Sequence, residues 1–165
     1  MIEPLYSDKF DFISVQDKNF IIAFDDEMRK IGYTCSDTIG PGYCWGKYMI
    51  IYLKAGAKNK RVVARIYIRE NDITLRLFLN KIDEHREYIE NQPLYIQEPF
   101  MGDIGKCRRC KNDRDGYCKF RKSYTINNIY IEKCNGSTFE YQSPDMEKLP
   151  GYISLLKEFY LLKRR

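Results

Sequence analysis

Two adjacent stretches alternate so regularly that they limit what this chain can become. Arg61 to Arg69 sets Val62, Ala64, Ile66 and Ile68 on one side and Arg61, Arg65, Tyr67 and Arg69 on the other. Asp72 to Leu79 repeats the pattern, with Ile73, Leu75, Leu77 and Leu79 opposed to Thr74, Arg76 and Phe78. A period of two over this length indicates antiparallel strands with one buried face. Asn71-Asp72 supplies the turn chemistry for a hairpin between them. Tyr48 to Leu53 is continuously apolar, which predicts a central strand covered on both faces.

Helical patterns frame these strands. Ile21, Phe24, Met28 and Ile31 form one stripe of a helix predicted over Asn19 to Ile31, capped by Asp17 or Asn19 and closed by Gly32. Gly40-Pro41-Gly42 marks a loop. A second helix is expected from about Lys81 to Glu90, capped by Asn80 and ended before Pro93. Leu94 to Gly105 reads either as a helical turn or as extended loop. Ile129 to Cys134 and Ser137 to Tyr141 bracket Asn135-Gly136, a strong two-residue hairpin signal. Pro150 opens a terminal helix to about Leu162, with Leu149, Ile153, Leu156 and Tyr160 along its stripe. The expected architecture is a single α+β domain over 1–165. It holds an antiparallel sheet with helices mainly on one face, and a zinc-clamped hairpin module at about 105–141.

The 165 residues suffice for one domain with a real core, and 44% apolar with 31% charged residues is an ordinary globular balance. No run approaches the ~20 apolar residues of a membrane span, so no membrane partner is expected. Met1-Ile2-Glu3-Pro4 lacks the features of a signal peptide, which points to the cytoplasm. The abundance of tyrosine, isoleucine and lysine reads as the codon usage of an AT-rich bacterial genome. Thiols stay reduced in the cytoplasm, so six cysteines argue for metal or reactivity over disulfides.

Four of the six lie close together. Cys107 and Cys110 form a C-x2-C pair, Cys118 follows the Asp115-Gly116 turn, and Cys134 precedes Asn135-Gly136. Zinc takes four thiolates in a tetrahedron, and a C-x2-C turn presents two of them from one tight loop. The expected cofactor is therefore a structural Zn2+ ion on Cys107, Cys110, Cys118 and Cys134. Four thiolates close the coordination sphere and leave no catalytic position. An iron–sulfur cluster would use the same ligands, and ordinary free cysteines are the plain alternative. Between Lys106 and Lys122 eight basic residues face two aspartates, giving +6 against a chain total of +5. The positive charge thus belongs to the cysteine segment, where it offsets the roughly −2 of a zinc–thiolate centre.

Other candidates are weaker. His85, the sole histidine, shares a helical face with Ile82 and Ile89 and reads as a core residue. Pairing with Cys35 or Cys44 would be needed to make it a base. Cys35 and Cys44 read as small buried hydrophobes. Tyr43, Trp45 and Tyr48 either line a pocket at the mouth of the sheet or belong to the core. Asp25-Asp26-Glu27 reads as a solvated helix face. Arg61, Arg65, Arg69 and Arg76 interleave with Tyr67 and Phe78 on adjacent strands, an arrangement by which sheet surfaces bind single-stranded nucleic acid. A solvated face with arginine stems laid along it is the plainer reading.

From Phe24 to Phe100, within the first two-thirds of the chain, the order is helix, Trp45-Gly46-Lys47-Tyr48 leading a strand, hairpin, and helix ended by a proline. This pattern resembles the YdhG-like small bacterial domains. The resemblance implies a cytosolic protein of a group mostly without assigned activity. Some members have been given a frataxin-like iron role, whose ligands do not map onto this chain. No paired carboxylates, phosphate-cradling glycine loop or nucleophile motif is present. Binding is therefore expected over catalysis, with a small molecule or a protein as the favoured partner. The alternative is nucleic acid held by Arg108, Arg109, Arg114 and Arg121 of the cysteine segment together with Trp45 and the arginine–aromatic sheet face.

Overall fold

The computed structural model describes residues 5–36, 39–56, 58–59, 61–102 and 118–160. It is an α+β fold. In chain order the strands are β1 (Tyr33–Thr34), β2 (Gly40–Pro41), β3 (Tyr48–Lys54), β4 (Val62–Ile68), β5 (Ile73–Phe78), β6 (Lys122–Ile126), β7 (Ile129–Lys133) and β8 (Thr138–Gln142). The α-helices are α1 (Val15–Lys30), α2 (Arg86–Glu90), α3 (Leu94–Gln97) and α4 (Leu149–Tyr160). Two compact units divide the chain, Met1–Phe78 with Glu140–Lys157 and Leu79–Phe139 with Glu158–Arg165.

The first unit is built on the six-stranded sheet, ordered β1-β3-β4-β5-β8 with β2 also on β3. β3 pairs antiparallel with β1, β2 and β4, and β4 pairs antiparallel with β5. The alternation of β4 and β5 has its expected consequence. Ala64, Ile66, Ile68, Ile73, Leu75 and Leu77 are fully buried on one face. Each isoleucine and leucine among them contributes about 1.5–3 kcal/mol through burial. Helix α1 lies on that face, with the Phe24 ring 5.2 Å from Tyr52 of β3. Tyr152 of α4 packs there too, 4.9 Å from Tyr141 of β8 and 6.2 Å from Phe20 of α1.

Helix α1 starts at Val15, four residues before the expected Asn19. Its cap is Ser14, whose hydroxyl accepts the Asp17 N–H at 3.1 Å, and neither Asp17 nor Asn19 serves. Val15 and Gln16 are exposed, so apolar periodicity is silent there. Gly32 ends the helix at φ +90°, a conformation glycine adopts without strain. The turn between β4 and β5 is closed by the Arg69 N–H on the Asp72 carbonyl at 2.9 Å, so it centres one residue earlier than Asn71-Asp72.

The second unit sets short helical segments against a two-stranded ribbon of β6 and β7. Asn127 and Asn128, at φ +51° and +63°, form the turn of that ribbon. Two consecutive left-handed residues match the twist of a two-residue hairpin. The Asn135-Gly136 hairpin expected between β7 and β8 does not form, because β7 pairs with β6 and β8 joins the six-stranded sheet. Gly136 is needed instead for close approach, since a Cβ there would lie 2.4 Å from Lys122 Cβ. The helix expected from Lys81 begins as a 3-10 turn over Ile82–His85 and becomes α-helical at Arg86. Lys81 is left-handed at φ +57°, so Asn80 does not cap. Leu94 to Met101 is helical throughout, α3 followed by a 3-10 turn. Phe100 and Phe139, 4.4 Å apart, centre the core of this unit.

Candidate binding face and cysteine centre

The face of the six-stranded sheet opposite α1 carries the residues at odd positions of β3 and their cross-strand partners. Met49, Tyr67 and Thr74 form one row, and Ile51, Arg65 and Arg76 form the next. From β8, Gln142 accepts a hydrogen bond from the Thr74 hydroxyl at 2.8 Å, and Glu140 lies 3.5 Å from Arg76 Nε. Tyr67 is fully buried, so it is not an exposed platform. Trp45 covers it, the rings stacked 5.7 Å apart and 11° from parallel. The Tyr67 hydroxyl accepts from Arg76 Nη1 at 2.9 Å, and Arg76 and Arg65 approach Phe78 at 5.8 and 5.2 Å from its ring centroid. Trp45, Tyr67, Arg76, Phe78 and Arg65 therefore form one continuous aromatic–guanidinium cluster, in which Trp45 is exposed and Arg65, Arg76 and Phe78 are part-buried. Arg69 donates to Thr74 Oγ1 and lies 3.6 Å from Asp72.

The turn from Gly42 to Gly46 aims the aromatics. A Cβ on Gly42 would meet the Gly46 carbonyl oxygen at 2.2 Å, and one on Gly46 would meet the Ile68 carbonyl oxygen at 2.7 Å. Between them Tyr43 is held at φ +54°, an unfavourable conformation for a bulky residue. The outcome is a Tyr43 side chain 76% exposed and a Trp45 39% exposed. Neither is a core residue, since the strained turn lifts both out of the sheet. Tyr43 borders an apolar groove of about 360 Å³ whose floor is Met49, Ile51 and Leu53. Cys35 forms part of its wall.

Behind that wall is a buried polar cluster. Asp25 is 2% exposed and is not part of a solvated helix face. Its carboxylate accepts from the Tyr52 hydroxyl at 3.1 Å, the Cys35 thiol at 3.4 Å and Arg29 Nε at 2.8 Å. Burial first, and the Asp25 charge second, push the Cys35 thiol up to about 11. Burial likewise raises the Tyr52 hydroxyl well above its ordinary value.

Of the four expected zinc ligands, Cys107 and Cys110 lie outside the described residues, as do Arg108, Arg109 and Arg114. Cys118 and Cys134 are half-buried free thiols. Both are at the open end of the β6–β7 ribbon. The Arg121 N–H closes a turn on the Cys118 carbonyl, and β6 and β7 pair from Lys122 and Lys133 onward. Arg121 donates to Cys134 Sγ at 3.5 Å and to Glu132 at 2.8 and 3.1 Å. Among the described residues no group of three or more His, Cys, Asp or Glu converges on a common point.

His85 is buried, with Nδ1 3.3 Å from Glu158 Oε1 and its ring 3.9 Å from that of Phe159. It is a packed core residue, as its apolar face suggested. Cys44 is exposed. Sequence reasoning missed Glu140 and Gln142, although both alternate with the apolar Phe139 and Tyr141 of β8. It also missed Asp25, whose place between Ile21 and Met28 on the buried stripe was the available signal.

Compared with known proteins, the chain matches no family model, no curated protein and no solved structure. No helix among the described residues is long and apolar enough to cross a membrane.

Proposed function

We propose that this chain is a cytoplasmic bacterial binding protein whose arginine–aromatic sheet face receives a small molecule or a protein segment. The observation that carries the reading is the continuous cluster from Trp45 through Tyr67, Arg76 and Phe78 to Arg65, next to an apolar groove. A groove of this size lined by apolar groups with a few placed polar ones is the usual form of a ligand site. Binding is preferred to catalysis because Cys35 and the sole histidine are otherwise engaged. The Cys35 thiol is held protonated beside Asp25, and His85 is packed against Glu158 and Phe159. The helix–strand–hairpin order over residues 24–100 supports the likeness to YdhG-like domains.

A structural zinc ion on Cys107, Cys110, Cys118 and Cys134 belongs to the same proposal. It clamps the open end of the β6–β7 ribbon and adds no reactive position. Cys134→Ser is expected to abolish zinc in the purified protein and to melt the ribbon while sparing the β4–β5 pair. Retention of one zinc per chain by this variant would remove Cys134 from the ligand set.

Nucleic acid is the second reading, favoured by the interleaving of arginines with aromatic rings. It ranks lower because Arg69, Arg76 and Arg121 each have a carboxylate nearby, Asp72, Glu140 and Glu132. Trp45 is the only tryptophan, so its emission reports the face directly. Titration with a random single-stranded oligonucleotide at low salt is expected to leave that emission unchanged. A saturable change that weakens with salt, with a log–log slope of about −0.7 per phosphate contact, would replace the small-molecule reading with this one.

A further inference from the structure

Two guanidinium groups share the middle of this sheet face with one carboxylate. Arg65 and Arg76 are direct cross-strand partners, so their side chains leave the sheet side by side, where like charges repel. Arg76 Nη1 donates to the Tyr67 hydroxyl at 2.9 Å, and its Nε, which makes no hydrogen bond, has the Glu140 carboxylate 3.5 Å away. Among the described residues Arg65 has no such carboxylate: its guanidinium meets only the Phe78 ring, 5.2 Å from the centroid, and its buried Nε has no hydrogen-bond acceptor. A half-buried donor of this kind is costly unless a partner completes it. Two positions along β4, about 7 Å away, Tyr67 supports the Trp45 ring, which is 39% exposed.

We propose that this face binds a small planar anion, with its aromatic ring against Trp45 and its carboxylate or phosphate on Arg65. The inference rests on the reading of the face as a binding surface and goes beyond it by assigning the ligand class. Planar, forked donors suit both oxyanions, and the flat indole suits a ring system. A single uncompensated guanidinium accommodates one anionic group. Arg69 already meets Asp72 and Thr74, so a polyanionic strand would find no second one there.

The test is calorimetric titration of the full chain with 2-naphthoate, adenosine monophosphate and the neutral 2-naphthalenemethanol. At least one anion is expected to bind one-to-one, with the stronger of the two identifying the source as carboxylate or phosphate. Arg65→Gln is expected to weaken that anion about 10- to 100-fold, leaving the neutral probe unaffected. Arg65→Lys, which keeps the charge and loses the fork, is expected to fall between. Equal affinity of the neutral and anionic probes, or of the Arg65→Gln and unaltered chains, would overturn the assignment. If neither anion binds while uncharged fragments still change Trp45 emission, the ligand class is wrong and the face reading stands. Silence of Trp45 toward every probe removes both.

Discussion

Asp25 shows how one residue ties a helix to the sheet beside it. Its buried carboxylate satisfies Tyr52, Cys35 and Arg29 together. Asp25→Ala would leave the buried Tyr52 hydroxyl and the inner side of Arg29 without acceptors. It is expected to destabilise the fold by about 2–4 kcal/mol, measured by urea unfolding. The same cluster governs thiol reactivity. Cys35 keeps its proton up to about 11, whereas its ordinary value is 9.0. Its contribution to stability is therefore complete below about pH 9 and is lost as pH rises toward 11. At pH 8 the Cys35 thiolate is scarce, and alkylation followed by mass mapping is expected to label exposed Cys44 on the order of 10-fold faster than Cys35. Equal rates would mean that the Asp25 cluster opens readily in solution.

At the scale of elements, the turn before β3 governs the candidate site. Ile68 belongs to a central strand and its carbonyl already accepts the Lys47 N–H at 2.8 Å, so it cannot yield to a methyl group at Gly46. Gly46→Ala is expected to displace the turn, unstack Trp45 from Tyr67 and cost about 1–3 kcal/mol. A red shift of Trp45 emission with an intact circular dichroism spectrum is the expected signature. Unchanged emission would show that the turn is not what holds the indole. This element also marks the limit of what the chain discloses by pattern. Period-two alternation in β4 and β5 identified the buried face and the arginine–aromatic face, because side-chain direction in a strand follows residue number alone. It could not show that Trp45 lies over Tyr67, since that depends on a turn with left-handed Tyr43 and two closely packed glycines. The Asn135-Gly136 reading failed for a related reason. A turn dipeptide reports a local bend but not which strand the chain pairs with afterwards, and Asn127-Asn128 was the bend that closed a ribbon.

At the scale of the whole molecule, charge and chemistry separate along the chain. The first unit contains the arginine–aromatic sheet face, where all but one of the described arginine heads have polar or acidic neighbours. The second contains the ribbon whose open end holds Cys118 and Cys134, and the sequence's excess positive charge lies between Lys106 and Lys122. Recognition is proposed for the first unit and a structural metal for the second. The most direct test is a fragment screen by NMR, following the Trp45 indole N–H and the Nε–H signals of Arg65 and Arg76 in the full chain. Hits are predicted to shift these three resonances together, with the ribbon resonances of Tyr124 and Ile131 unmoved. Hits that shift only the ribbon signals, or leave all three sheet-face signals in place, would contradict it.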